Sequence, residues 1–226
     1  MLFHGIWVAA MLEYMNRIKA TTEKTKQLVP AQEEGKSAAL SSERQMNSEA
    51  EALVIFNYAR DRLLNPACWN DLAAELGTRF MQTDRDGNIV ERPITMGDYI
   101  RIDIPGPGPV AGHGYDWVTV MRVEQQKSNS RHEEFTGVQL MVSSDPHETG
   151  DDAAHFFEKG ATSTFLINRK DRLVTATYYG RNEVINNATE RVSDNIRNTM
   201  VGAGAILGLS EIQWKSLLDG FLGDLK

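Results

Sequence analysis

The sequence is poor in cysteine, since Cys68 is the only one among 226 residues. No intrachain disulfide can form, which agrees with a reducing compartment, and we expect a cytoplasmic protein. Cys68 follows Pro66-Ala67 and precedes Trp69 in a helix-like stretch, with no base or basic group close by. We therefore interpret it as a buried small hydrophobic residue rather than a nucleophile.

Long apolar runs are also missing. The first twelve residues are apolar apart from His4 and Gly5, and Glu13 ends the run at about half the length of a membrane span. No Lys or Arg precedes the run and no small-residue cleavage site follows it, so a secretory signal is not expected. The apolar spacing predicts a helix over residues 2–27 and no membrane span.

An excess of positive charge is absent, because 24 Lys and Arg stand against 31 Asp and Glu. The stretch 159–198 is locally basic, with seven basic and four acidic residues, but nucleic-acid binders carry a much stronger basic footprint. We expect no nucleic-acid partner. With 41% hydrophobic and 24% charged residues, the chain has the composition of a globular protein rather than a disordered one.

The hydrophobic pattern changes twice along the chain. It predicts an α+β fold, in which a central antiparallel β-sheet or small β-barrel of about six strands is flanked by N-terminal and C-terminal helices. We expect three regions: residues 1–82 form a helical region with a loop at about 30–47, residues 83–185 form a β-rich domain with one inserted helix, and residues 186–226 form C-terminal helices that pack on it.

Local signals mark the predicted elements. Ser48 and Glu51 match a capping box, and Asn65-Pro66 predicts an N-cap followed by proline at the first helical position. Alternating or continuous apolar runs predict strands over 98–104, 117–123, 135–142, 161–168 and 173–179. Further helices are predicted from Thr149 to Gly160, from Asn187 to about Leu207, and from a second capping box at Ser210.

No motif identifies a reaction. The sequence has neither a Gly-x-Ser-x-Gly elbow nor a His-Glu-x-x-His motif. The glycine-rich loop 105–114 contains three prolines and leads into a strand, so it is interpreted as a strand connection rather than a phosphate loop. Asp84, Asp86 and Asn88 fit a hairpin turn better than a calcium loop, whose first and last acidic ligands are missing. We expect no catalytic residues, no metal and no cofactor.

One cluster of polar residues around His155 has two interpretations, a functional site and a purely structural role. On the predicted helix after Thr149, the residues Asp151, His155 and Glu158 share one face, as a metal site or an acid–base pair requires. Acidic residues also suit a helix N-terminus, and Phe156 and Phe157 supply buried contacts, which favours a solvated polar face. An enzyme built on these three residues is the third functional hypothesis.

Two other hypotheses precede it. The leading one is a non-catalytic protein-interaction or structural assembly module with a protein partner or self-association, because no catalytic constellation is present and long amphipathic helices are predicted at both ends. Gly202 and Gly204 let the helix that contains them pack closely on the sheet, which we favour, or on a second subunit. The alternative is a small-molecule or lipid-binding protein with an apolar pocket inside the β-rich domain. Met141 and Phe165 are candidate lining residues, and the predicted ligand-binding residues are Trp117, Met121, Phe135, Tyr179 and Arg181.

Overall fold

The computed structural model describes residues 27–74, 77–105, 112–127, 132–150, 152–186 and 200–223. These residues contain seven strands and three helices. In chain order they are β1 (Lys36–Gln45), α1 (Glu49–Leu63), α2 (Pro66–Leu72), β2 (Arg79–Thr83), β3 (Tyr99–Asp103), β4 (Asp116–Lys127), β5 (Glu133–Val142), β6 (Thr162–Lys170), β7 (Leu173–Glu183) and α3 (Met200–Phe221).

All seven strands belong to one antiparallel sheet, with the order β1-β7-β6-β5-β4-β3-β2. The predicted α+β class with a central antiparallel sheet is confirmed. Strands β1 and β2 form the two edges of this sheet, so it is open, and the small barrel that we considered beside it is not formed.

The main core lies between one face of the sheet and the three helices. Because successive side chains of a strand point to opposite faces, alternate residues such as Ile100 and Ile102 of β3 face the helices. The centre of this core is aromatic: the Trp69 ring lies 5.8 Å from that of Phe165 and 6.1 Å from that of Phe221, measured between centroids. We call this surface of the sheet the helix-covered face.

The first two helices begin where their capping signals predict. The Ser48 side chain accepts a hydrogen bond from the Glu51 N–H at 3.2 Å, and the Asn47 N–H donates to the Glu51 carboxylate. Asn65 accepts from the Ala67 N–H at 3.2 Å, with Pro66 in the first turn. These local bonds satisfy backbone donors that a helix leaves free at its start.

The predicted loop at about 30–47 is wrong for residues 36–45, which form β1. Its sequence has few large apolar residues, so the period of two is faint, and only Ala38 and Leu40 contribute clearly to the main core. Long-range pairing with β7, from Lys36 opposite Glu183 to Gln45 opposite Leu173, makes this segment a strand.

The predicted inserted helix from Thr149 to Gly160 is also wrong, because residues 152–161 are irregular apart from a single bridge between Phe157 and Ile185. Apart from a turn bond from the Ala161 N–H to the Glu158 carbonyl, their backbone-to-backbone hydrogen bonds go to residues in or beside the neighbouring strands. Asp151 lies outside the described residues.

At the C-terminus, α3 is one helix that continues through Ser210, where the sequence predicts a second start. Packing of Trp214, Leu217 and Leu218 in the main core outweighs that local capping signal. The predicted helix over 2–27 and the predicted start at Asn187 lie outside the described residues. Within the described part of the chain, no helix has the length and apolar character needed to cross a membrane.

Candidate functional site

Residues 153–161, which we call the closing segment, lie across one end of the sheet. The Trp117 N–H donates to the Ala154 carbonyl at 2.7 Å, which ties the segment to the start of β4. On the other side, the Glu158 N–H donates to the Val184 carbonyl at 2.8 Å, just beyond β7. The closing segment therefore joins two strands that are not neighbours in the sheet.

A cleft lies between this segment, the helix-covered face and α3. It holds about 390 Å³ of space free of protein atoms, part of it continuous with solvent, and about 20 Å³ open to the centres of water molecules. The enclosed part has room for one or two waters. Its apolar lining is Ile102, Val118, Leu140, Val142, Phe156, Phe157, Ala161 and Trp214, and its polar lining is His155, Thr162, Ser163 and Glu183.

A chain of polar groups runs along one wall of the cleft. The Tyr178 hydroxyl donates to the Glu183 Oε1 at 3.2 Å and lies 3.3 Å from the Ser163 Oγ. Burial raises the pKa of Glu183, and the hydrogen bond from Tyr178 opposes part of that rise. Burial also raises the pKa of Tyr178, and the Glu183 charge adds to the effect. The tyrosine is therefore a neutral donor at physiological pH.

Glu183 reaches the cleft because the strand alternation is broken just before it. Asn182 has a φ of +57°, in the left-handed region that Asn tolerates better than most residues. The Glu183 carboxylate folds over Gly180, where a Cβ would lie 2.1 Å from Oε1. Any side chain at position 180 would therefore displace this carboxylate.

His155 lines the cleft, and Asp116 lies beside it. His155 is 6% exposed, and its Nδ1 accepts a hydrogen bond from the Phe157 N–H at 2.9 Å. Burial lowers the pKa of His155 to about 3, so its ring is neutral with the proton on Nε2. Burial raises the pKa of Asp116 to about 7, although its Oδ1 accepts from the Phe156 N–H at 2.9 Å.

The two groups are close but do not form a charged pair. The His155 Nδ1 lies 3.9 Å from the Asp116 Oδ1, and its lone pair is already used by the Phe157 N–H. A ring with a pKa of about 3 takes up no proton at neutral pH and is a poor general base there. The arrangement offers hydrogen bonds to a bound molecule rather than proton transfer.

Of the predicted histidine cluster, His155 and Glu158 lie among the described residues. His155 is buried, whereas Glu158 is exposed. Without a helix in this segment, the spacing of four and three residues no longer places side chains on one face. The third functional hypothesis thus loses the geometry on which it depended.

The predicted ligand-binding residues lie elsewhere in the fold, and none of them lines the cleft. Phe135 is buried with Leu28 and Leu166 on the opposite face of the sheet, and Tyr179 packs against this cluster. The Arg181 guanidinium carbon lies 5.2 Å from the centroid of the Tyr179 ring. Phe135, Tyr179 and Arg181 thus share one face of the sheet, and their role in ligand binding stays a prediction.

The remaining candidates are spread out. Trp117 is buried, with its ring centroid 6.0 Å from that of His147. Met121 is 38% exposed at a β-bulge, where the pairing with β5 shifts between Val120 and Arg122. A bulge adds one residue to a strand, so the alternation of faces shifts at this point in β4. Met141 is half-buried, and Phe165 lies in the main core.

Sequence reasoning missed most of the cleft. Neither Glu183 nor Ser163, which both line the cleft, is among the ligand-binding residues that the sequence predicts. One signal was available: Tyr178 continues the inward alternation of Val174 and Ala176 in β7. A tyrosine at a core position needs a partner for its hydroxyl, which points to a polar group nearby.

Comparisons with known proteins find similarity to solved structures. No family model and no curated protein matches the chain. A hypothetical protein from Helicobacter pylori has a similar structure, with 10% identity, a TM-score of 0.49, and coverage of 86% of this chain and 92% of that one. Ara h 8.0201 shares 10% identity at a TM-score of 0.38, covering 84% and 100%.

A conserved protein from Geobacillus kaustophilus shares 12% identity at a TM-score of 0.38, covering 82% of this chain and 95% of that one. At these identities and TM-scores, the similarities assign no function to the chain.

Proposed function

We propose that the protein binds a small molecule in the cleft beneath Trp214. The observation that carries this proposal is the mixed lining of the cleft, in which a mainly apolar wall surrounds a few polar groups. Small-molecule sites in proteins have this composition: the apolar part supplies binding energy, and the polar groups fix orientation. This is the alternative that the sequence raised, placed on the helix-covered face.

The lining favours an uncharged ligand. Burial keeps His155 neutral, with Nε2–H as a donor, and Glu183 already accepts a hydrogen bond from the Tyr178 hydroxyl. A buried ionic ligand would need an opposite charge to offset its desolvation. Thr162, Ser163 and His155 instead provide hydroxyl and imidazole groups, which suit an alcohol, a carbonyl or an amide on an apolar body.

Space limits how such a ligand enters. The enclosed part of the cleft, about 20 Å³, holds no more than one or two waters. A larger ligand therefore requires α3 or the closing segment to move outward.

The test uses a neutral fluorescent probe, N-phenyl-1-naphthylamine, together with native mass spectrometry of freshly purified protein. We expect one probe per chain, with an increase in its emission. Ser163→Leu puts a bulky side chain into the cleft and should weaken probe binding at least about tenfold, the equivalent of 1.4 kcal/mol. Thr177→Leu makes a comparable change on the opposite face of the sheet and should leave binding unchanged.

Two outcomes count against the proposal. One is a wild-type protein that carries no extra mass and gives no probe signal. The other is equal weakening by Ser163→Leu and Thr177→Leu, which would place the probe outside the cleft.

The leading interpretation from the sequence, an interaction or assembly module, remains a prediction. Large exposed hydrophobic side chains of the described residues lie on separate elements rather than on one face: Leu53 and Val54 on α1, Ile89 and Met96 between β2 and β3, Met121 on β4, and Ile212 on α3. Single exposed apolar residues are ordinary on protein surfaces, so they do not favour a docking surface.

A further inference from the structure

Three potential metal ligands meet at the end of the sheet opposite the cleft. Glu49 is the first residue of α1, His132 directly precedes β5, and Asp171 lies in the turn between β6 and β7. One ligand atom from each lies within 4.8 Å of the other two. These residues are far apart in sequence, so tertiary structure alone brings them together.

The backbone holds the three ligands in place. The Asp171 N–H donates to the His132 carbonyl at 2.7 Å, which joins the two loops directly. The Met46 N–H donates to the Arg172 carbonyl at 2.8 Å, which ties the β6–β7 turn to the residues just before α1. The Ser48 cap then sets the direction in which α1 starts and so the position of Glu49.

The distances suit a small coordination sphere. The His132 Nδ1 lies 3.0 Å from the Glu49 Oε2 and 3.9 Å from the Asp171 Oδ1. In a tetrahedral zinc site with bonds of about 2.05 Å, neighbouring ligand atoms are separated by about 3.4 Å. The two distances lie on either side of this value, and the third, between the Glu49 and Asp171 carboxylates, is at most 4.8 Å, so side-chain rotations are needed to bring all three atoms to a shared ion.

Chemistry and charge agree with the geometry. Imidazole nitrogen and carboxylate oxygen are both ligands of borderline divalent ions such as Zn²⁺. A neutral imidazole with two carboxylates carries two negative charges, which one divalent cation neutralises. The three side chains are between 41% and 54% exposed, so an ion and its water ligand have free access.

We propose that Glu49, His132 and Asp171 form a binding site for a divalent transition-metal ion of the Zn²⁺ class, with water completing the coordination. This proposal departs from the expectation from the sequence that the protein has no metal site. The alternative is a plain hydrogen bond from the His132 Nδ1–H to the Glu49 carboxylate, with no ion involved.

The experiment is calorimetric titration of chelator-treated protein with Zn²⁺, repeated with Co²⁺ to follow its visible absorption bands. We expect one ion per chain, and bands characteristic of nitrogen and oxygen ligands. His132→Ala should weaken binding at least about tenfold, since even changes outside the first ligands cost 10–100-fold in metal affinity. Asp171→Asn should act in the same direction and suits the turn, because Asn tolerates the φ of +52° at this position.

His113→Ala is the matched control. His113 is also exposed and has two carboxylates nearby, Asp145 and Glu148, each 3.6 Å from one ring nitrogen. These carboxylates approach different nitrogens of the ring, so they do not converge on one ligand atom. The proposal is overturned if the wild-type protein binds no ion, if His132→Ala binds as tightly as the wild type, or if His113→Ala weakens binding equally.

Discussion

Replacing Asp116 by Asn should change how the stability of the protein depends on pH. Asp116 is 4% exposed and accepts one backbone hydrogen bond, from Phe156. Burial raises its pKa from the ordinary 3.8 to about 7. The folded protein therefore holds this proton over a range of pH in which the unfolded chain has lost it.

The sign and size follow from that difference. Between about pH 4 and about pH 7 the folded state binds more protons at Asp116 than the unfolded state, so this residue lowers stability as pH rises. A shift of about three pKa units, at 1.36 kcal/mol per unit, gives an upper limit of about 4 kcal/mol. Asn cannot ionise, so Asp116→Asn should gain up to that amount over the wild type between about pH 4 and about pH 8.

His155 contributes in the opposite direction. Burial lowers its pKa from 6.5 to about 3, so between about pH 3 and about pH 6.5 the unfolded chain binds more protons at His155 than the folded protein does. His155 therefore makes the stability rise with pH over this range. The two effects cancel in part in the wild-type profile, but His155 is present in both proteins. The difference between Asp116→Asn and the wild type therefore isolates the aspartate.

The assay is urea unfolding followed by tryptophan fluorescence at several pH values, with Asp103→Asn as the control. Asp103 is exposed at the end of β3, and its replacement should leave the shape of the profile unchanged. Any cost from the amide group of Asn is independent of pH and shifts the whole curve. A difference that stays constant from about pH 4 to about pH 8, or that falls with rising pH, would refute a protonated Asp116.

Two further predictions concern packing and capping. Gly137→Ala would place a Cβ 2.2 Å from the Leu28 Cδ2, and we expect a loss of about 1–3 kcal/mol in urea unfolding; Gly150→Ala, which meets nothing within 4 Å, should cost far less. Ser48→Ala removes the N-cap of α1 and should cost about 1 kcal/mol by the same measurement, whereas Ser41→Ala, exposed on β1, should change stability little.

The elements that sequence reasoning identified are those whose signals are local. The alternation of Ile100 and Ile102 predicts β3, and the Asn65-Pro66 pair predicts the start of α2. In both cases the residues that carry the signal also make the stabilising contacts: the isoleucines enter the main core, and Asn65 accepts the Ala67 N–H. Such patterns are informative because no distant partner decides them.

Elements decided by distant partners were missed. β1 has few large apolar residues, and its pairing with β7 makes it a strand. The stretch from Thr149 to Gly160 carries the capping signals of a helix, but within it the Phe156 N–H donates to the Asp116 carboxylate and the Glu158 N–H donates to the Val184 carbonyl. Bonds to residues more than 25 positions away therefore outweigh the local helix signal.

In the cleft and in the proposed metal site, the positions of single side chains also depend on residues that are distant in sequence. Alternation along β7 places Arg181 and Glu183 on one face, yet the left-handed Asn182 turns the carboxylate of Glu183 into the cleft beside Tyr178. His132 and Asp171 are 39 positions apart, and only the pairing of β5 with β6 brings them together. In neither site do the residues follow a short, regular spacing in the sequence, so no sequence motif predicts them.

The two proposed sites lie at opposite ends of the same strands. β6 begins beside the cleft at Thr162 and ends beside the metal site at Lys170, a span of roughly 26 Å at about 3.3 Å per residue. The cleft depends on α3 and the closing segment, whereas the metal site depends on α1 and two strand connections, so they share no ligand and no covering element. The probe and metal experiments can therefore fail separately: loss of Zn²⁺ binding in His132→Ala says nothing against the cleft, and loss of the probe in Ser163→Leu says nothing against the metal site.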